Sequence, residues 1–190
     1  MLLASQLRMG MAVRYEREIY KVVAANYHPG QGKMGGVTHA RLQNLSTGTF
    51  WEHSFRSDLK LEEVPLEKTP MEFLYEDGDQ YYFMNPSSYE QVALPRSLLG
   101  SQAAFLQPQM TLPIEFVEGR PVSVVFPEIL EVKIADTAPP AHQQTDGPWK
   151  TARLDNGLEV MVPPFIKTGD VIRLDVPNMR YMDRAKGPGR

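Results

Sequence analysis

The stretch Ile19-Tyr20-Lys21-Val22-Val23-Ala24-Ala25-Asn26-Tyr27, then Pro29-Gly30-Gln31-Gly32-Lys33-Met34-Gly35-Gly36, then Val37-Thr38-His39-Ala40-Arg41-Leu42 sets one lysine among four glycines between two strand-like runs. The first run is rich in β-branched and aromatic residues and the second alternates apolar with polar, so both read as strands. The segment between them reads as a long hairpin turn. Glycine tolerates positive φ and adds no side chain, so Pro29, Gly30, Gly32, Met34, Gly35 and Gly36 can form a slender support from which Lys33 projects. A point cation on such a stalk suits surroundings rich in phosphate. By composition alone, a lysine in a glycine-rich loop is more often a solvated residue than a ligand. A phosphate-binding P-loop is excluded, because Met34 follows the lysine where that motif needs Ser or Thr, and a strand follows the loop instead of a helix.

The chain has 190 residues, with sixteen prolines and fourteen glycines spread along it, which punctuates short strands as in all-β barrels. It has no cysteine, and its four histidines, His28, His39, His53 and His142, show no metal-ligand spacing, so neither a disulfide framework nor a metal or other cofactor site is expected. No run approaches the ~20 apolar residues of a membrane span, and the N-terminus does not read as a signal peptide, so a cytoplasmic protein with no membrane partner is expected. The net charge of −3 divides unevenly: eight basic against six acidic residues over 1–64, three against eight over 65–127, and nine against nine over 128–190. The basic end holds the glycine loop, a distribution suited to touching a polyanion at chosen points and being repelled elsewhere.

Three units are expected. Residues 1–64 read as a small barrel, with strands at Met11–Tyr15, on both sides of the loop, and at Thr49–Arg56; Trp51 and Phe55 read as packed strand residues. Glu62–Pro65 marks the boundary. Residues 65–128 open with a hairpin turning at Asp77-Gly78. Ser88-Tyr89-Glu90-Gln91 has capping-box spacing, Leu98, Leu99, Phe105 and Leu106 could share one short helical face, and Ile114–Val117 and Val122–Val125 are strands. This pattern fits an OB-type barrel. Residues 129–190 repeat the same strand grammar at Ile129–Thr137, Leu158–Pro163 and Val171–Asp175, with a polar loop from Ala138 to Trp149. The tail after Arg184 has nothing to bury.

Gly32-Lys33 followed at fixed spacing by Leu42-Gln43-Asn44-Leu45-Ser46-Thr47-Gly48-Thr49, Met71–Tyr75 with Asp77-Gly78 and Phe83-Met84-Asn85, and Gly157–Ile166 with Gly169-Asp170-Val171-Ile172 together resemble bacterial translation elongation factor P over nearly the whole chain. The resemblance implies an all-β, L-shaped protein made of a KOW/SH3-like barrel and two OB-fold barrels. It implies a monomeric, non-enzymatic factor that binds the 70S ribosome between the P and E sites. There it contacts ribosomal RNA and P-site peptidyl-tRNA, stimulates peptide-bond formation and relieves stalling at consecutive prolines. Lys33 would face the peptidyl-transferase centre and be the substrate of a lysine-modifying enzyme. Tyr181 and Arg184 stand where the family has a Tyr and an Arg that face RNA, Arg41 and Arg56 of the basic first barrel are expected to neutralise RNA phosphates, and Gln143, Gln144 and Thr145 lie in the loop that would approach the exit-site codon. The archaeal and eukaryotic relative that shares this plan has no third barrel, so residues 129–190 select the bacterial type.

The chain departs from the family pattern in three places. Met34 follows the lysine where glycine is usual, leaving open a different modification or none. The third-barrel loop lacks the family's Gly-Asp, and Val176-Pro177-Asn178-Met179 replaces the usual Thr-Arg and Gly. Two alternatives fit the residues less well: a specialised paralogue of the factor, and a general OB-fold RNA-binding protein that stacks bases on Tyr81, Tyr82 and Trp149.

Overall fold

The computed structural model describes residues 1–31, 35–140 and 147–186. They form three antiparallel sheets, the all-β architecture expected, in two compact units: residues 1–100 with 107–125, and residues 101–106 with 126–190.

The first sheet holds β1 (Leu2–Leu3), β2 (Ala12–Tyr15), β3 (Glu18–His28), β4 (Val37–Asn44), β5 (Phe50–Arg56) and β6 (Lys60–Val64), in the order β1-β6-β2-β3-β4-β5. Period-two alternation is clearest in β4, where Thr38, Ala40 and Leu42 are buried and His39 and Arg41 face out. The interior is Leu7, Val13, Val22, Leu42, Phe55 and Leu61, with Trp51 packed against its edge. The acidic stretch expected to be a boundary is mostly strand: β6 pairs with β1 and β2 and ends the first sheet at Val64.

The second sheet holds β7 (Glu67–Asp77), β8 (Gln80–Met84), β9 (Gln91–Pro95), β10 (Thr111–Val117) and β11 (Arg120–Val124), in the order β11-β10-β7-β8-β9, and β9 returns against β11. Gly78 supplies the positive φ of 62° that the β7–β8 turn requires. The expected helix start at Ser88 is wrong. Asn85 Oδ1 accepts the amides of Ser87 and Ser88 at 2.9 and 3.2 Å, forming an Asx-type turn, and Gln91 enters β9. Nor do Leu98, Leu99, Phe105 and Leu106 share one helical face. The helix α1 (Arg96–Leu99) ends at Gly100, where φ is 64°, and a 3-10 turn over Gly100–Phe105 follows. Phe105 joins the core of the other unit.

That unit holds β12 (Ile129–Thr137), β13 (Lys150–Leu154), β14 (Glu159–Val162), β15 (Val171–Asp175) and β16 (Arg180–Arg184), in the order β14-β13-β12-β15-β16, around Ile134, Leu154, Val162, Ile166, Ile172 and Leu174.

The first two barrels are docked within one unit. Ala12, Leu45 and Val64 from the first barrel pack with Val117 and Val122 from the second, with Ile19 and Leu66 alongside. Polar contacts surround this patch. Arg14 Nη2 donates to Glu118 at 2.5 Å and Arg14 Nε lies 3.3 Å from Glu62. Lys21 Nζ donates to the Glu115 carboxylate, which also accepts the Ser123 hydroxyl at 2.6 Å. Glu115 is only 2% exposed and Lys21 25%. In the β10–β11 pairing the register shifts between Glu115 and Phe116, where Val122 of β11 has no partner; along β10 itself, neighbouring Ile114 and Glu115 take opposite faces and both are buried.

The segment Leu42–Thr49, which marked the resemblance in the sequence, has a physical explanation in this seat. Leu42 is core, Asn44 Oδ1 accepts the amides of Ser46 and Thr47, Leu45 enters the inter-barrel patch, and Gly48 lies against the second barrel. A Cβ on Gly48 would sit 2.1 Å from the Ser97 carbonyl oxygen, and its φ is +77°. Gly157 has a similar φ of +86° but open space around it. Gly157→Ala is therefore expected to cost about 1 kcal/mol from backbone strain alone, and Gly48→Ala clearly more, because strain and a backbone clash act together. Urea unfolding of both variants checks this; equal costs would show that Gly48 does not seat the two barrels.

Candidate functional site

The glycine-rich tip is carried by β3 and β4, whose pairing runs from Tyr20 opposite Asn44 out to His28 opposite Val37. A bulge between Val22 and Ala24 shifts the register partway along. Beyond Ala25 the outer end of β3 leaves the core, and Asn26, Tyr27 and His28 are exposed. The loop therefore connects the free end of a hairpin rooted in the first barrel. Gly32, Lys33 and Met34 lie outside the described residues; Pro29, Gly30, Gln31 and Gly35 are exposed. Gly36 is the position where glycine is required by contact: a Cβ there would fall 2.7 Å from the Tyr27 ring and 2.9 Å from the His28 carbonyl oxygen. Its own carbonyl accepts the Ser57 amide at 2.9 Å, tying the returning end of the loop to the residue after β5.

Arg41 and Arg56 share the outer face of the β4–β5 hairpin, where Arg41 pairs with Glu52 and Val37 with Arg56. Both are exposed, and each has a local partner that holds it on the surface. The Arg41 guanidinium lies 5.0 Å from the Phe50 ring centroid, and Arg56 lies 2.8 Å from Asp58. Pairs this exposed add little stability, so both cations remain available to a polyanion.

Register also brings together residues the sequence did not connect. The His28 and His39 rings meet edge to face with centroids 5.1 Å apart, and His39 Nδ1 is 2.7 Å from Ser54 Oγ. These sit on the same outer surface as Arg41; their separation in sequence hides the cluster until β3, β4 and β5 are aligned.

In the third barrel, Tyr181 and Arg184 lie on β16, opposite Leu174 and Ile172. Arg184 is exposed, with a guanidinium nitrogen 3.9 Å from Asp170. Tyr181 is half-buried against the core, and its ring meets Trp149 at 90° with centroids 5.7 Å apart. It is thus both a packed strand residue and one edge of an exposed aromatic corner. Gln143, Gln144 and Thr145 lie outside the described residues. Of the aromatics considered for base stacking, Tyr81 is 2% exposed and cannot accept a base, and Tyr82 already stacks on Tyr75 at 4.8 Å. Trp149 alone of the three is open, at 51% exposure. Among the described residues no group of three or more acidic or histidine side chains could hold a metal ion, and no helix is long and apolar enough to cross a membrane.

Comparison with known proteins agrees with this layout. Three family models match in order: the elongation factor P KOW-like domain at residues 3–61, the elongation factor P OB domain at 66–124, and the elongation factor P C-terminal domain at 130–184. Elongation factor P of Acidobacterium capsulatum is 37% identical over 96% of this chain and 98% of its own length. The protein of that name from Thermotoga maritima is 36% identical over 97% and 100%, and that from Erythrobacter litoralis 39% over 94% and 96%. Among solved structures, the eukaryotic translation initiation factor 5A from Methanococcus jannaschii is 18% identical, covering 65% of this chain and 92% of that one with a TM-score of 0.48. A KOW-like barrel, an OB barrel and a third barrel in this order define a translation factor, and not an enzyme. The chain belongs to the elongation factor P family.

The phenol of Tyr181 is held above its ordinary pKa of 10.0, first by burial, with Asp183 adding to the shift and Arg184 opposing it. A raised value means that the folded chain keeps a proton which the unfolded chain has lost, so this stability is complete below about pH 10 and is lost as pH rises through the folded value. The native chain should lose more stability between about pH 9 and about pH 11 than Tyr181→Phe does. Urea midpoints across that range check the sign; parallel losses in both proteins would contradict it.

Proposed function

We propose that this protein binds the ribosome between the P and E sites, stimulates peptide-bond formation and relieves stalling at consecutive prolines, with Lys33 as the group presented to peptidyl-tRNA. The observation that carries the reading is the hairpin β3–β4, which extends beyond the first barrel's core and frames the Gly-rich segment containing Lys33. Family membership over nearly the full chain supports it. A cation held beside the CCA end and its phosphates can orient the donor for attack, and orientation alone can remove several kcal/mol from an effective barrier without the factor reacting chemically. Ribosomal RNA and P-site peptidyl-tRNA are the proposed partners of a cytoplasmic monomer.

The segments 1–64, 65–128 and 129–190 act in this proposal as tip carrier, acidic middle segment and second RNA-contacting segment. Arg41 and Arg56 serve as phosphate contacts of the first, and Tyr181 and Arg184 serve the third. Pro29, Gly30, Gly32, Met34, Gly35 and Gly36 shape the tip for Lys33 and for any enzyme that modifies it. Gln143, Gln144 and Thr145 approach the exit-site codon; with glutamines in place of Gly-Asp, this contact depends less on the codon than in relatives that keep the pair. A general base-stacking protein is disfavoured by the burial of Tyr81 and by the five-charge acidic excess over residues 65–127.

Lys33→Ala should abolish rescue of a Pro-Pro-Pro reporter in reconstituted translation while thermal unfolding stays unchanged. Equal rescue by the variant would sink the assignment of the tip. Ribosome affinity should fall log-linearly with salt, and the double variant Arg41→Ala, Arg56→Ala should reduce that slope by about 1 to 2, since each neutralised phosphate releases counterions. Sedimentation over a salt series reads it; an unchanged slope would place binding elsewhere.

A further inference from the structure

The β3–β4 hairpin has its root where the first barrel meets the second. Lys21, near the start of β3, reaches across to Glu115 on β10, so the strand that leads to the tip is fixed to the second barrel by its own side chain. From Lys21 to His28 the strand advances seven residue steps, about 23 Å at ~3.3 Å per step. It is a lever clamped at one end. The Glu115 carboxylate is almost completely buried and is held from the other side by Ser123, so it cannot relax into water if Lys21 moves. Arg14 repeats the connection at the rim, joining Glu62 of β6 to Glu118 in the β10–β11 turn.

We infer that Lys21 and Glu115 are positioning residues: their buried ion pair fixes the angle at which the second barrel presents the tip hairpin, and this angle sets how productively the factor acts. The inference rests on the tip function proposed above. Neither residue touches tRNA in this account; both act through the lever. A slack of about 5° at the root would displace the outer end of β3 by about 2 Å, and misplacements of this order are enough to lose orientation-dependent acceleration. The apolar patch of Ala12, Leu45, Val64, Val117 and Val122 holds the barrels together but leaves rotation loosely defined, since apolar contact is non-directional. A buried carboxylate with two fixed donors supplies the direction.

The 190-residue chain contains no cysteine, so spin labels can be placed at will. Labels at Asn26→Cys on the exposed stem and Asp79→Cys in the β7–β8 turn report the inter-barrel distance by pulsed electron resonance. Glu115→Gln keeps size and the Ser123 contact while removing the charge; Lys21→Met removes it from the other, partly exposed side, so the test survives if one variant folds poorly. Both should broaden the distance distribution. In Pro-Pro-Pro translation both should lower the rate at saturating factor by at least about tenfold with little change in the half-saturating concentration. A loss of folded protein alone would do the reverse, raising the half-saturating concentration and leaving the saturated rate intact, and that result overturns the inference. A distribution as narrow as that of the native chain overturns the clamp, and a broadened one with an unchanged saturated rate overturns the positioning role. Lys33→Ala, run in parallel, separates the two ideas. If it too leaves the rate unchanged, the tip reading falls and the positioning role with it, while the distance measurement still decides the clamp.

Discussion

The seat between the first two barrels is the constraint on which the candidate site depends, because the tip hairpin is rooted in it. Apolar contact among Ala12, Leu45, Val64, Val117 and Val122 supplies the attraction. The ionic contacts of Lys21 with Glu115 and of Arg14 with Glu118 restrict which orientation satisfies it. Burying a carboxylate as completely as Glu115 is unfavourable unless its partners are in place, so an arrangement that keeps it buried but separates it from Lys21 is penalised by roughly 3–5 kcal/mol. Gly48 adds a steric condition of the same kind, since any side chain there would meet the Ser97 backbone. The acidic excess of the second barrel is therefore not all surface charge: one of its carboxylates is a buried joint.

Several of these features were legible in the sequence, and the reasons differ. β12 and β15 occupy the ranges expected because their alternation and β-branched content are strong, and Asp77-Gly78 fixed the β7–β8 turn through the positive φ at Gly78. The short strands β1, β9, β13 and β16 were missed. Their residues carry weak local signals and become strands by pairing with neighbours already in place. Ser88 to Gln91 misled because capping-box spacing is also met in a turn when an asparagine upstream captures the same amides. Glu115 had one visible mark, an acid inside the apolar run Ile114 to Val117, but its partner is on the first barrel, a contact that no periodicity reveals.

For the site, the outward placement of Arg41 follows from alternation along β4, while Lys33 lies outside the described residues. The sequence did not indicate that Tyr81 is core, because strong β residues on an OB strand read alike on either face until the register is known. Nor did anything distinguish Lys21 from the other basic residues of the first barrel; its partner lies 94 positions away in sequence. Local chemistry was readable, whereas contacts between barrels were not.

The central claim is that the Gly-rich loop of the first barrel meets the reactive end of peptidyl-tRNA. Directed hydroxyl-radical probing tests it most directly, with an iron chelate tethered at Gln31→Cys in the same loop and the factor bound to ribosomes stalled on consecutive prolines. The account predicts strand cleavage concentrated at the CCA end of the P-site tRNA and in the ribosomal RNA around it. Cleavage confined to other regions, with the CCA end untouched while the factor remains bound, would contradict it.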